Sequence, residues 1–185
     1  MSGWMHAGAI ALFLGAATLS AAPAAEAASA AEIDAKVDIA LNSLLADSEA
    51  AQAISEKALA VLVFPDIVKA GLGFGGQYGE GALRRDGVTT GYFNIASASF
   101  GFQAGAQSYS QVLFFMSEEA LQNLGKARGF ELGADASVAV IDQGLGVDVS
   151  STTAQDPIVA FVFGQQGLMG GVTIEGSKIS SINPD

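Results

Sequence analysis

Between residues 69 and 81 the chain reads KAGLGFGGQYGEG, with glycine at 71, 73, 75, 76, 79 and 81. Successive side chains of a strand point to opposite faces, so glycine recurring at every second position leaves one face of a strand bare. A bare face permits sharp curvature or the close approach of a second layer, and the segment is expected to be a strongly bent strand. Gly71, Gly73 and Gly76 also satisfy G-x-G-x-x-G. A dinucleotide-binding turn of that pattern opens a helix, however, whereas here the alternation simply continues, so no nucleotide is expected to bind.

The flanking sequence extends the same architecture. Residues 59–64 (LAVLVF) form an apolar run ended by Pro65-Asp66, the pattern of a strand buried on both faces. Arg84-Arg85-Asp86-Gly87 reads as a hairpin turn, with partner strands at 88–95 and 97–116. Further strands are expected at 130–141 and 158–163, and a Gly176-Ser177 hairpin should join 168–175 to 178–182. Helices are few. Ile33, Val37, Ala40, Leu41 and Leu44 recur at helical spacing and should pack on the domain's own sheet. Ser48 can cap a second helix at 49–58, and Ser117 a third at 118–128, closed by Lys126, Arg128 and Gly129. Strands dominate without regular β-α-β alternation, which predicts an α+β class with a mostly antiparallel, strongly curved sheet, sandwich-like or barrel-like.

Residues 7–19 (AGAIALFLGAATL) are too short a run to span a bilayer and read as the apolar region of a signal peptide. Small-x-small cleavage sites follow at Ala25-Glu26-Ala27 and Ala28-Ser29-Ala30, and cleavage after Ala30 is preferred, giving a leader 1–30 and one domain at 31–185. An uncleaved anchor or a misplaced start codon is the alternative. The chain has no cysteine, so lipoprotein attachment, disulfides and thiolate metal sites are excluded. His6, the sole histidine, leaves with the leader, which removes His-dependent nucleophilic triads and the usual zinc ligands. Loss of Glu26 leaves eight basic against eighteen acidic side chains, a net charge of −10, and nucleic acid is a poor partner for such a surface.

Several blocks together resemble the SYLF domain family: AVLVFPDIVKAGLGFGGQYGEG after Lys57-Ala58, then ASFGFQAGAQSYSQVLFFM, GFELGADASVAV and DPIVAFVFGQQGLMGGVTIEGSKI. The resemblance runs from about Ile33 to Ile182. It implies a lipid-binding domain, since eukaryotic members bind phosphoinositide membranes and fungal members also bind actin. Bacterial members are typically exported envelope proteins, where actin is not expected as a partner. Basic residues and an amphipathic N-terminal segment serve phosphoinositide binding in relatives, yet here basic residues are scarce and the N-terminal helix is acidic.

Candidate sites follow from the residues that can carry charge. Lys69, Arg84 and Arg85 are the basic residues between Lys57 and Lys126 and could hold a lipid headgroup by charge-assisted hydrogen bonds, or be solvated turn charges. Asp135, Asp142, Asp148 and Asp156 lack the spacing of a calcium-binding loop, and neither a metal nor a cofactor is expected. Glu80 and Glu175 could form a carboxylate pair for glycoside hydrolysis, but each stands beside a glycine turn, and no catalytic residue is assigned. The phenylalanines 64, 74, 93, 100, 102, 114, 115, 130, 161 and 163 are expected in the core, with an acyl-chain pocket as the alternative for a subset. The expectation is a non-enzymatic phospholipid- or membrane-binding domain of the periplasm or envelope. The alternative is a structural or protein-interaction domain of the same compartment.

Overall fold

The computed structural model describes residues 28–126, 129–143, 155–167 and 176–185. Residues 1–27, which make up most of the leader expected at 1–30, lie outside them, as do Arg128, Asp148, Glu175 and the strand expected at 168–175. So do the side chains of Gly73 and of residues 99–104, Phe100 and Phe102 included.

Two long strands organise the chain: β1 (Ala60–Arg85) and β2 (Val88–Phe115), paired antiparallel from Ala60↔Phe115 to Arg85↔Val88. They are joined at Asp86 and Gly87, with φ of 51° and 77°. Positive φ at both central positions is the type I′ geometry whose twist matches that of the flanking strands. A strand of 26 residues would extend about 85 Å if straight, whereas a domain of this length has a radius of gyration of about 15 Å. The ribbon therefore has to fold over on itself, and glycine is where it does so. A Cβ built on Gly71 would lie 2.7 Å from the Cα of Gly75, one on Gly79 would lie 2.9 Å from the Asp66 carbonyl oxygen, and one on Gly81 would collide with the Val63 carbonyl oxygen. The two halves of β1 thus approach each other backbone to backbone about the segment near residue 73, as the alternating glycines predict.

Among the described residues, three helices and four shorter strands complete the fold. They are α1 (Ala30–Asp47), α2 (Glu49–Ser55), α3 (Glu118–Leu124), β3 (Phe130–Glu131), β4 (Val138–Asp142), β5 (Ile158–Gly167) and β6 (Lys178–Ile182). The sheet runs β3-β6-β2-β5-β4, with β1 on the remaining edge of β2. The first half of β2 pairs with β6 and the second half with β5. Only β4 and β5 run parallel among the described strands. The result is a curved, mostly antiparallel sheet with helices on its faces, the α+β class the sequence predicts.

Both faces of the sheet are buried. On one, Ile33, Val37, Ala40 and Leu44 of α1 meet Val63, Val112, Phe114, Val159 and Phe161. Burying an Ile, Val or Leu side chain stabilises by ~1.5–3 kcal/mol, enough to hold a helix whose own capping is worth about 1 kcal/mol. On the other face, Leu62, Phe64, Tyr109, Leu113, Phe115 and Phe130 pack with Ala120 and Leu124 of α3. Ser29, Ser48 and Ser117 cap the three helices by accepting from the N–H groups of Glu32, Ala51 and Ala120.

Several boundaries differ from the expectations. β1 passes through Pro65 instead of ending there, because the register shifts between Phe64 and Ile67 and a bulge needs no ladder donor from proline. Residues 88–115 form one strand, not two. The strand expected at 130–141 is split by a turn in which Gly133 takes φ 87° and the Asp135 carboxylate accepts from the Glu131 N–H. α2 stops at Ser55 and α3 at Leu124, where Gly125 caps it. Phe74 is not in the core: it is 66% exposed.

Candidate functional site

Alternation along β1 sorts its side chains into an inward set, which includes most of the glycines, and an outward set. The outward positions run Asp66, Val68, Ala70, Leu72, Phe74, Gly76, Tyr78 and Glu80, so an uncharged band is bounded at each end by a carboxylate. Within it Leu72 is 82% exposed, Val68 51% and Tyr78 48%. The β2 residues in register opposite are small or apolar: Ser108, Ala106, Ala104, Phe100, Ala98 and Ala96. Where the two halves of β1 meet, at Gly71, Gly79 and Gly81, the crowded side has no room for a Cβ, while Leu72, Phe74 and Tyr78 project outward. That same logic, applied to the sequence, would have moved Phe74 out of the core.

The inner face carries a polar row. Tyr109 donates its hydroxyl to Gln77 Oε1 at 2.8 Å, and Gln77 Nε2 donates to Ser177 Oγ at 2.9 Å. Burial pushes the Tyr109 phenol well above its ordinary value. Gln111 and Gln107 line the same face, and neither amide atom of Gln111 nor the Oε1 of Gln107 has a hydrogen-bond partner. Lys69 stands opposite Gln107 in register and is only 8% exposed.

The three basic candidates are not gathered into one site. Adjacent strand residues point to opposite faces, so Arg84 meets α1 and Arg85 meets α3. Arg84, with a side chain 15% exposed, is 2.8 Å from Asp38 Oδ1 and 3.5 Å from Asp34 Oδ1. Asp34 also accepts from Thr89 Oγ1 at 2.8 Å and from the Tyr92 hydroxyl at 2.9 Å. The Asp34 bond comes first among the causes that raise the Tyr92 phenol. Arg85 pairs loosely with Glu118 at 3.5 Å, and Lys69 faces the interior. Asp34 escapes a sequence reading because it lies off the apolar stripe of α1, the usual mark of a solvated position.

A groove of about 750 Å³ opens between the first turn of α1 and the outward face of β1, lined among others by Ala28, Glu32, Lys36, Asp66, Tyr78 and Glu80. Glu80 accepts the Tyr78 hydroxyl at 2.8 Å and the Ala28 N–H at 3.3 Å. Desolvation first and this bond second raise the Tyr78 phenol. Glu32 and Lys36 pair with each other at 2.9 Å, which raises the lysine. Of the carboxylates singled out in the sequence, Asp142 accepts from Gln165 at 2.7 Å and Asp135 serves the turn at 131–135. Among the described residues no group of three or more His, Cys, Asp or Glu side chains is placed to hold a metal ion. No helix among them is long and apolar enough to cross a membrane.

The family model Ysc84, described as Las17-binding protein actin regulator, matches residues 96–183, which take in most of β2 and the elements that follow it. No curated protein matches the chain.

Proposed function

The match of residues 96–183 to the Ysc84 model agrees with the SYLF resemblance of the sequence, and we propose that the chain is a SYLF-domain protein acting as a non-enzymatic lipid-binding module exported to the cell envelope. The reading rests above all on the outward face of β1, where Val68, Leu72, Phe74 and Tyr78 stand exposed on the fold-over. Exposed large apolar side chains concentrated on one face mark an interaction surface. A chain with net charge −11 is repelled on average by anionic membranes, so apolar insertion and not bulk charge supplies the attraction. The ion pairs of Arg84 with Asp34 and Asp38 support the same view, since they compete with any headgroup for that cation.

The family description names an actin regulator. Export to the envelope of a bacterium would leave a recognition surface without that partner, so the lipid is the ligand assigned here. Sedimentation with phosphatidylcholine vesicles tests the assignment. Wild-type protein should bind with little dependence on salt, and Leu72→Ser with Phe74→Ser should release it while the unfolding midpoint stays unchanged. Binding confined to anionic vesicles, abolished at a few hundred millimolar salt and insensitive to those two changes, would refute the apolar reading in favour of a charge-driven contact.

A further inference from the structure

The first residues of the described chain are built into the fold in a way that discriminates between the two cleavage sites. Ser29 takes an extended conformation, φ −67° and ψ 156°, and its hydroxyl accepts from the Glu32 N–H at 3.3 Å, so it is the N-cap of α1. Ala28 lies one residue earlier, on the wall of the groove, with its nitrogen 3.3 Å from Glu80 Oε2. Cleavage after Ala30 would discard both contacts. It would also place an ammonium at the start of a helix whose unpaired N–H groups already make that end positive. Cleavage after Ala27, at the Ala25-Glu26-Ala27 site, keeps the cap and converts the Ala28 nitrogen into an ammonium beside a carboxylate.

Charge in the groove favours the second outcome independently. Glu32 and Lys36 satisfy each other at 2.9 Å. Asp66 and Glu80 line the same groove, and among the described residues no lysine or arginine forms an ion pair with either. Lys36 also acts electrostatically on Asp66 and Glu80, so one lysine faces three carboxylates, Glu32, Asp66 and Glu80, along the groove, and the Tyr78 hydroxyl is the sole side-chain donor that Glu80 has among the described residues.

We infer that the Ala27–Ala28 peptide bond is the maturation site and that the new α-ammonium of Ala28 pairs with Glu80, fastening the N-terminus of α1 to β1. The inference rests on the proposed export. A signal peptidase would add water across the bond: hydroxyl goes to the Ala27 carbonyl carbon, a proton to the Ala28 nitrogen, and a second proton from solvent completes the ammonium.

The N-terminus of the exported protein decides the matter, read by intact mass and by terminal sequencing. Mature protein beginning Ala28-Ser29-Ala30 is expected. A terminus at Ala31 would overturn the assignment while leaving export standing, and an intact Met1 in a cytoplasmic product would overturn both. The pairing has its own readout in the processed protein. An α-amino group titrates ordinarily near ~7.7–8.0, and raising that value by one lowers the free amine about tenfold at pH 7. Acylation of the Ala28 amine near neutral pH should therefore be several-fold slower in wild type than in Glu80→Gln, with Lys36, Glu32, Asp66 and Tyr78 unchanged around it. Equal rates would overturn the pairing.

Discussion

Replacing Gly81 with alanine puts the fold-over of β1 to a quantitative test. The added methyl would collide with the Val63 carbonyl oxygen and lie 2.7 Å from Phe64 Cδ1. Neither neighbour can rotate away, because the first is backbone and the second is a fully buried ring. Overpacking of a tight core costs about 1–3 kcal/mol, and an obstruction by backbone belongs at the upper end. For a domain of 150–250 residues 1 kcal/mol moves the melting midpoint by roughly 2–4 °C, so ~3 kcal/mol should lower it by about 6–12 °C. Gly76→Ala is the matched control on the same strand. Its Cβ would meet only the Ser97 carbonyl oxygen at 3.3 Å, and loss of glycine's freedom in the unfolded chain returns ~0.4–1 kcal/mol, leaving a net change near zero. Thermal unfolding followed by circular dichroism compares the two. Indistinguishable midpoints would mean that the halves of β1 do not meet and that the glycine alternation needs another explanation.

Other expectations follow from the polar contacts. Asp34→Ala strips acceptors from Thr89, Tyr92 and Arg84 together and should cost about 2–3 kcal/mol in urea unfolding. Asp38→Ala, whose carboxylate is largely solvated, should cost under ~1 kcal/mol, and a reversal of that order would move the anchor of α1 from Asp34 to Asp38. All three tyrosines have raised phenol pKa values: Tyr109 through burial, Tyr92 chiefly through its bond to Asp34, Tyr78 through desolvation and then Glu80. The unfolded chain loses these protons near pH ~10 while the folded chain keeps them, so this contribution is complete below that pH and declines above it. The melting midpoint should accordingly be flat up to about pH 9.5 and fall beyond pH 10, less steeply in Tyr92→Phe; a flat profile through pH 11 would contradict the assignment.

How far the sequence reveals the fold can be judged position by position. The apolar stripe of α1, the serine caps, the Asp86-Gly87 turn and the bent glycine strand are all local patterns, decided by residues within a turn or two of one another, and each is present. What the sequence conceals depends on partners distant along the chain. Pro65 looks like a terminator because its tolerance depends on a bulge formed against Tyr109 and Gln111 of β2. Arg84 looks like a free surface cation because its partners, Asp34 and Asp38, stand about fifty residues earlier. The outward apolar band is readable in principle, since a glycine face has to be the crowded one, yet the abundance of phenylalanine points to a core.

The continuous β1–β2 ribbon also sets an order of folding events. Starting from Asp86-Gly87, each new pair closes only a short loop, so the ribbon can zip outward without meeting the full entropy of joining positions 60 and 115 at once. The docking of α1 cannot begin that way, because Asp34 binds Arg84 of β1 and Thr89 and Tyr92 of β2, a set that exists only once the hairpin is made. Changes at the turn, such as Gly87→Val, should therefore slow refolding, whereas Asp34→Ala should chiefly speed unfolding. The two arms of a denaturant chevron would separate these effects.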